Sequence, residues 1–131
     1  VGLEVSITPK FSTSKIYVTL NSFSLRTRSQ STLATMILQR KIGGGSFADV
    51  VSFAEYAGSI SGGTTGSTQE VYPTLGYLDS PGTTSAVTYK IQGLRHSGSA
   101  SVAFHHNASG NHSGGSGVRN TATLVVMEVS A

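Results

Sequence analysis

Residues Lys15–Arg26 read KIYVTLNSFSLR, and this stretch decides the fold class. Apolar and polar residues alternate through Ile16–Leu20, which is the period of a β-strand with one buried face. The alternation resumes at Phe23, three positions after Leu20, so the buried face changes sides once. We predict one long strand in which a bulge near Asn21–Ser22 absorbs the extra residue.

Short apolar clusters of the same kind lie on both sides of this stretch, separated by turn residues. Pro9 ends the first cluster because it removes a ladder donor, and Gly43–Gly45 marks a flexible connection. Residues 58–69 are almost entirely Gly, Ser and Thr, which is typical of an exposed loop. The predicted strands are 3–7, 15–26, 32–42, 47–53, 71–78, 87–92, 102–104 and 121–129.

No long amphipathic helix is indicated anywhere in the sequence. We therefore predict a single all-β domain over residues 1–131, an antiparallel β-sandwich of jelly-roll type with about eight strands. Because the sequence begins with Val1 rather than Met, we expect this domain to be a fragment of a longer protein.

The last predicted strand, Thr121–Val129, is apolar on both faces through Leu124–Met127. An exposed sheet edge with such a sequence aggregates, so we expect this strand to lie centrally in a sheet or under a neighbouring chain. Charged residues make up only 11% of the sequence, which leaves little repulsion between copies. Both observations favour self-association.

Composition argues against several other partners. The formal net charge is +3, and the nine Lys and Arg residues are scattered singly, so we predict no nucleic-acid binding. No apolar run approaches the ~20 residues of a membrane-spanning helix, so we predict no membrane insertion. The sequence has no Cys, which excludes a disulfide framework and a thiolate metal site.

Histidines are the most tempting candidates for chemistry. His105 and His112 are weak candidates for metal ligands, because a threefold axis could multiply one imidazole into three. Adjacent strand residues point to opposite faces, so His105 and His106 cannot both bind one ion without a bend. We interpret all three as exposed loop residues and predict neither a metal nor another cofactor.

Catalytic patterns are weaker still. No Gly-x-Ser-x-Gly elbow occurs on a strand-turn-helix, and Gly114–Gly117 reads as a flexible loop. Glycoside cleavage requires paired carboxylates, and most of the six acidic residues lie at predicted strand ends or turns. We predict that the chain is not an enzyme; a carboxylate site shared between subunits is the enzymatic alternative.

Three stretches carry a resemblance to a known family: ITPKFSTSKIYV at 7–18, YLDSPGTTSAVTYKI at 77–91, and ATLVVMEV at 122–129. In order and spacing they resemble the C-terminal domain of bacteriophage tail-fibre and related virion structural proteins, particularly those of phages of marine bacteria. This resemblance implies a β-rich, jelly-roll-like homotrimer located in a virion appendage. Read as residues, Ser12–Ser14 and Asp79 are turn-forming elements that supply side-chain acceptors to the backbone.

Two functions compete on this basis. In the first, the trimer binds a host-surface glycan or protein through its polar loops, 58–69 and 97–119. In the second, the domain is purely structural, a trimerisation or decoration module without receptor contact. Tyrosines 56, 72, 77 and 89 could stack on sugars. The candidate receptor-binding residues are Arg95, His96, His105, His106, His112 and Arg119.

Overall fold

The computed structural model describes residues 3–21, 25–28, 33–57, 68–97, 102–104 and 122–130. The regular elements of these ranges are all β-strands, and no helix that could cross a membrane occurs among them. The strands are β1 Glu4–Ile7, β2 Lys15–Asn21, β3 Leu25–Arg28, β4 Leu33–Ile42, β5 Ala48–Ala57, β6 Thr68–Val71, β7 Leu75–Asp79, β8 Val87–Ser97, β9 Val102–Phe104 and β10 Thr123–Val129.

Every pairing between these strands is antiparallel. One sheet has four strands in the order β1-β8-β4-β5, a second has three in the order β10-β2-β7, and a short third has the order β6-β3-β9. The chain crosses repeatedly from one sheet to another. Among the described strands, β4 and β5 are the pair that is consecutive in sequence and adjacent in a sheet.

The short third sheet continues the ladder of the second. Leu20 lies opposite Leu75, and Leu25 lies opposite Val71, so the β2–β3 side carries one residue more than the β6–β7 side. Residues 22–24 lie outside the described residues, so the predicted bulge near Asn21–Ser22 stays a prediction. The predicted strand 71–78 is divided into β6 and β7, and β6 also takes Thr68–Gln69 from the predicted loop.

The core lies between the four-stranded sheet and the three-stranded sheet. Buried side chains from both sheets form one cluster, and burying each large one contributes about 1.5–3 kcal/mol. The all-β sandwich predicted from the sequence is confirmed. Its jelly-roll connectivity is not, because a jelly roll has two four-stranded sheets. The fully buried cluster consists of Ile16, Val18, Leu20, Met36, Leu38, Val87, Tyr89 and Ile91.

One polar group joins the two sheets inside the sandwich. The carboxylate of Asp79, at the end of β7, accepts hydrogen bonds from Arg40 Nη1 at 2.8 and 2.6 Å and from Tyr89 Oη at 2.7 Å. Burial, and then the hydrogen bond to Asp79, raises the pKa of Tyr89. The sequence predicted that Asp79 forms the turn before Pro81 and that Tyr89 could stack on sugars. In the structure both side chains are buried.

The position of the last strand corrects another expectation. β10 is hydrogen-bonded to β2 and lies at the edge of its sheet, not at its centre. Its alternate residues Val125, Met127 and Val129 are exposed on the outside of the sandwich. The other possibility stated for this strand, a covering neighbour, is taken up below.

Candidate functional site

The candidate receptor-binding residues fall almost wholly outside the described structure. His105, His106, His112 and Arg119 are not among the described residues. Arg95 and His96 lie in β8, which extends five residues beyond the predicted strand to Ser97. Their side chains are likewise outside the description, so the receptor assignment stays a prediction. Within the described residues no three His, Asp or Glu side chains come together as a metal site.

The connection between β9 and β10 has well-defined ends. Phe104 lies opposite Leu25, and Thr123 lies opposite Asn21, on the same side of the β2–β3 strand. The connection between these two paired positions comprises residues 105–122, of which 105–121 lie outside the described residues.

The outside of the three-stranded sheet carries a row of apolar side chains next to the polar residues Lys15 and Thr19. Met127, Tyr17 and Leu78 form one cross-strand row and are 56%, 38% and 46% exposed, respectively. Val125 and Val129 extend the row along β10. We call these five residues the apolar face. Contiguous exposed apolar surface of this kind marks interaction sites in soluble proteins.

Tyr17 is held flat against this sheet by a glycine on the next strand. A Cβ atom at Gly76 would lie 3.0 Å from Tyr17 Oη, a contact so tight that the tyrosine side chain would have to shift by a few tenths of an ångström. The missing side chain at Gly76 therefore leaves the space into which the tyrosine hydroxyl extends. An aromatic side chain lying across a strand glycine covers its backbone and keeps the face level.

The edge formed by β10 is bare of strand-breaking residues, although β1 of the other sheet lies close beside it. β1 is only four residues long and is followed by Pro9. β5 carries two register shifts, and its Ala54 has a φ of 52°. Such short, bulged or proline-flanked strands keep edges from pairing with other chains. β10, by contrast, has seven residues, TLVVMEV, with no Gly, Pro or Lys.

Glu128 fixes the end of β10 to the turn that precedes β2. Its Oε1 accepts the backbone N–H of Lys10 at 2.7 Å. The hydroxyl of Ser14, followed by the backbone N–H groups of Lys10 and Phe11, lowers the pKa of Glu128. The Ser14 hydroxyl is buried beside this carboxylate, although among the described groups it makes no hydrogen bond of good geometry.

The outside of the four-stranded sheet is polar. Ser6 and Thr88 share a hydrogen bond of 2.8 Å between their hydroxyls, and Gln39 Nε2 donates to Asp49 Oδ1 at 2.7 Å. The carboxylates of Asp49, Asp79 and Glu128 thus have separate partners on different parts of the sandwich. These three acids do not form the paired carboxylates that glycoside cleavage requires.

Sequence reasoning did not identify the apolar face as a surface. The alternation along its strand predicts that Tyr17 is exposed. That Leu78 lies beside Tyr17 depends on the register between β2 and β7, which the sequence does not give. Comparison with protein-family models, with curated proteins and with solved structures finds no match to this chain. The resemblance to tail-fibre domains accordingly remains a prediction.

Proposed function

We propose that this chain is a non-enzymatic assembly module of a bacteriophage virion appendage, such as a tail fibre, and that it forms a homotrimer through the apolar face. The observation that carries the proposal is the row Met127–Tyr17–Leu78 on an exposed sheet whose edge strand is bare. The resemblance of the sequence to tail-fibre domains supplies the location in the virion.

The partner in this proposal is a second copy of the same chain. Burying an exposed Leu, Met or Val contributes about 1.5–3 kcal/mol each, and every copy brings the same five side chains. The opposite outer face carries Lys41, Lys90 and Asp49 beside the exposed Leu94, so it is the more polar of the two outer faces among the described residues. An assembly in which every copy turns its apolar face toward one common axis is closed, and the resemblance to tail-fibre domains supplies the threefold symmetry.

Sedimentation equilibrium tests the proposal on the chain as it stands. We expect the wild-type chain to sediment at three times its own mass and M127E to sediment as a monomer, because the carboxylate cannot be buried without a partner. The matched control is Q92E, which adds the same charge to the outside of the other sheet. A monomeric wild type, or an M127E variant that assembles as the wild type does, contradicts the proposal.

A second candidate, binding of a host-surface glycan or protein, is favoured by the polar sequence of residues 105–121 between the paired ends Phe104 and Thr123. This sequence contains His105, His106, His112 and Arg119. The test replaces residues 105–121 with a short Gly-Ser linker and measures binding of the labelled chain to host cells.

Three results of this replacement are informative. Loss of cell binding with sedimentation unchanged supports a receptor role for the segment. Unchanged cell binding excludes this segment as the contact. No cell binding by the wild-type chain favours the purely structural role.

A further inference from the structure

Two lysines converge on one aromatic ring on the polar outside of the four-stranded sheet. Lys41 Nζ lies 4.8 Å from the centre of the Phe47 ring, and Lys90 Nζ lies 3.9 Å from the same point. Lys41 comes from β4 and Lys90 from β8, while Phe47 directly precedes β5. The two ammonium groups are therefore separated by no more than the sum of these distances.

Neither lysine of this pair forms an ion pair with a described acidic side chain. Among the described residues the ion pair that forms is Arg40–Asp79, on the inner side of the sheet. Glu4 lies opposite Lys90 in the register but makes no ion pair with it, and Asp49 accepts its hydrogen bond from Gln39. The ring face attracts each ammonium, but it does not remove the repulsion between them.

A hydroxyl group lies on the same face of the sheet as the two lysines. Thr88 is the cross-strand partner of Lys41 and shares a face of β8 with Lys90. Its hydroxyl is bonded to that of Ser6 at 2.8 Å, so it retains capacity for a further hydrogen bond. Two ammonium groups and a hydroxyl on one face are donors suited to an oxyanion with several acceptor oxygens.

We propose that Lys41 and Lys90, placed by Phe47, form a binding site for an oxyanion, the phosphate or sulfate ester group of a surface polysaccharide. An anion between the lysines removes the repulsion that the ring leaves in place. The site lies on the opposite outer face from the apolar face, so it is separate from the proposed assembly surface and does not rest on it.

An NMR titration of amide and lysine side-chain resonances tests the site, at constant ionic strength set with sodium chloride. The probes are inorganic phosphate, glucose 6-phosphate and glucose. We expect saturable shifts at residues 41, 47 and 90 with both phosphates and none with glucose. Tighter binding of glucose 6-phosphate identifies the sugar ester as the ligand, and equal binding identifies the oxyanion itself.

Variants assign the effect to these side chains. K41Q and K90Q are each expected to weaken phosphate binding at least tenfold, whereas K15Q, an exposed lysine of the other sheet, leaves it unchanged. F47L keeps an apolar side chain but removes the ring, and we expect it to weaken binding because the lysines lose their common anchor. Shifts that fail to saturate, or K41Q and K90Q variants that fold and bind as the wild type does, overturn the proposal.

Discussion

The two sheets of the sandwich share one core but differ on the outside. The four-stranded sheet presents hydroxyls, amides and charges outward, and its edges end in the short β1 and the bulged β5. The three-stranded sheet presents the apolar face outward and ends in the bare strand β10. The difference teaches that the two sheets share an apolar inside but expose different chemistry, hydrogen-bonded polar groups on one outer face and a row of apolar side chains on the other.

The largest expected effect of a single substitution on the free energy of unfolding is at Asp79, inside the sandwich. Replacing Asp79 by Ala leaves Arg40 and Tyr89 without their shared acceptor, and breaking a buried ion pair costs about 3–5 kcal/mol. Urea denaturation measures this loss in the free energy of unfolding. Because Asp79 lies inside the sandwich and Met127 on its outer face, we expect D79A to lower the free energy of unfolding by the same amount in an M127E background.

The control for this substitution is D49A. Asp49 carries a similar hydrogen bond, to Gln39, on the exposed outside of the sandwich. We expect D49A to change the free energy of unfolding by less than about 1 kcal/mol. Equal effects of D79A and D49A would show that the Asp79 group does not tie the two sheets together.

A smaller effect is expected at the bulged edge of the four-stranded sheet. Ala54 has a φ of 52°, a left-handed conformation that costs an L-residue with a Cβ about 1–2 kcal/mol. A54G relieves this cost, and we expect a net gain of about 0.5–1 kcal/mol after the greater chain entropy of glycine is subtracted. The measurement is again urea denaturation.

The matched control here is A48G, in the same strand but outside the left-handed region. It should lower the free energy of unfolding, because glycine in a strand costs entropy without relieving strain. A gain from A48G, or a loss from A54G, would mean that the bulge does not strain this edge.

The smallest effect on stability is expected at Glu128, near the end of β10, and it depends on pH. Because the folded protein lowers the pKa of Glu128 from 4.5, its carboxylate stabilises the folded state above pH 4.5. This contribution is lost as pH falls through the lowered pKa. We expect E128Q to lack this part of the acid destabilisation, measured as thermal midpoints between about pH 6 and pH 3.

The control for the pH series is E4Q, which removes a carboxylate from the edge strand of the other sheet. It should follow the wild-type acid profile. An E128Q profile parallel to that of the wild type down to the lowest pH would show that Glu128 does not link β10 to the turn at Lys10.

Local patterns predicted most of the strands because alternation and burial coincide along each one. The three-residue step between Leu20 and Phe23 predicted the change of register, since a ladder accommodates an odd residue only by bulging. Because β10 is apolar on both faces, its sequence indicated that one of these faces needs to be covered. Whether that surface would be covered by its own sheet or by another chain depended on strand order, which alternation does not encode.

Contacts between sheets were beyond the reach of the sequence. Asp79 sits before Ser80–Pro81 and has the local signature of a turn residue, but its carboxylate bonds Arg40 across the sandwich. The convergence of Lys41 and Lys90 on Phe47 likewise depends on the pairing of β4 with β8. Register and layer packing determine such contacts, and both arise only once the whole sandwich forms.

The interval between β9 and β10 has a practical consequence for engineering. Phe104 and Thr123 are held by neighbouring parts of one partner strand, so the chain departs and returns at almost the same place. Loop closure costs little more as such a segment lengthens, about 0.6 kcal/mol per doubling. An epitope tag or affinity peptide can therefore be grafted there, and the two strands that bracket it keep their pairing.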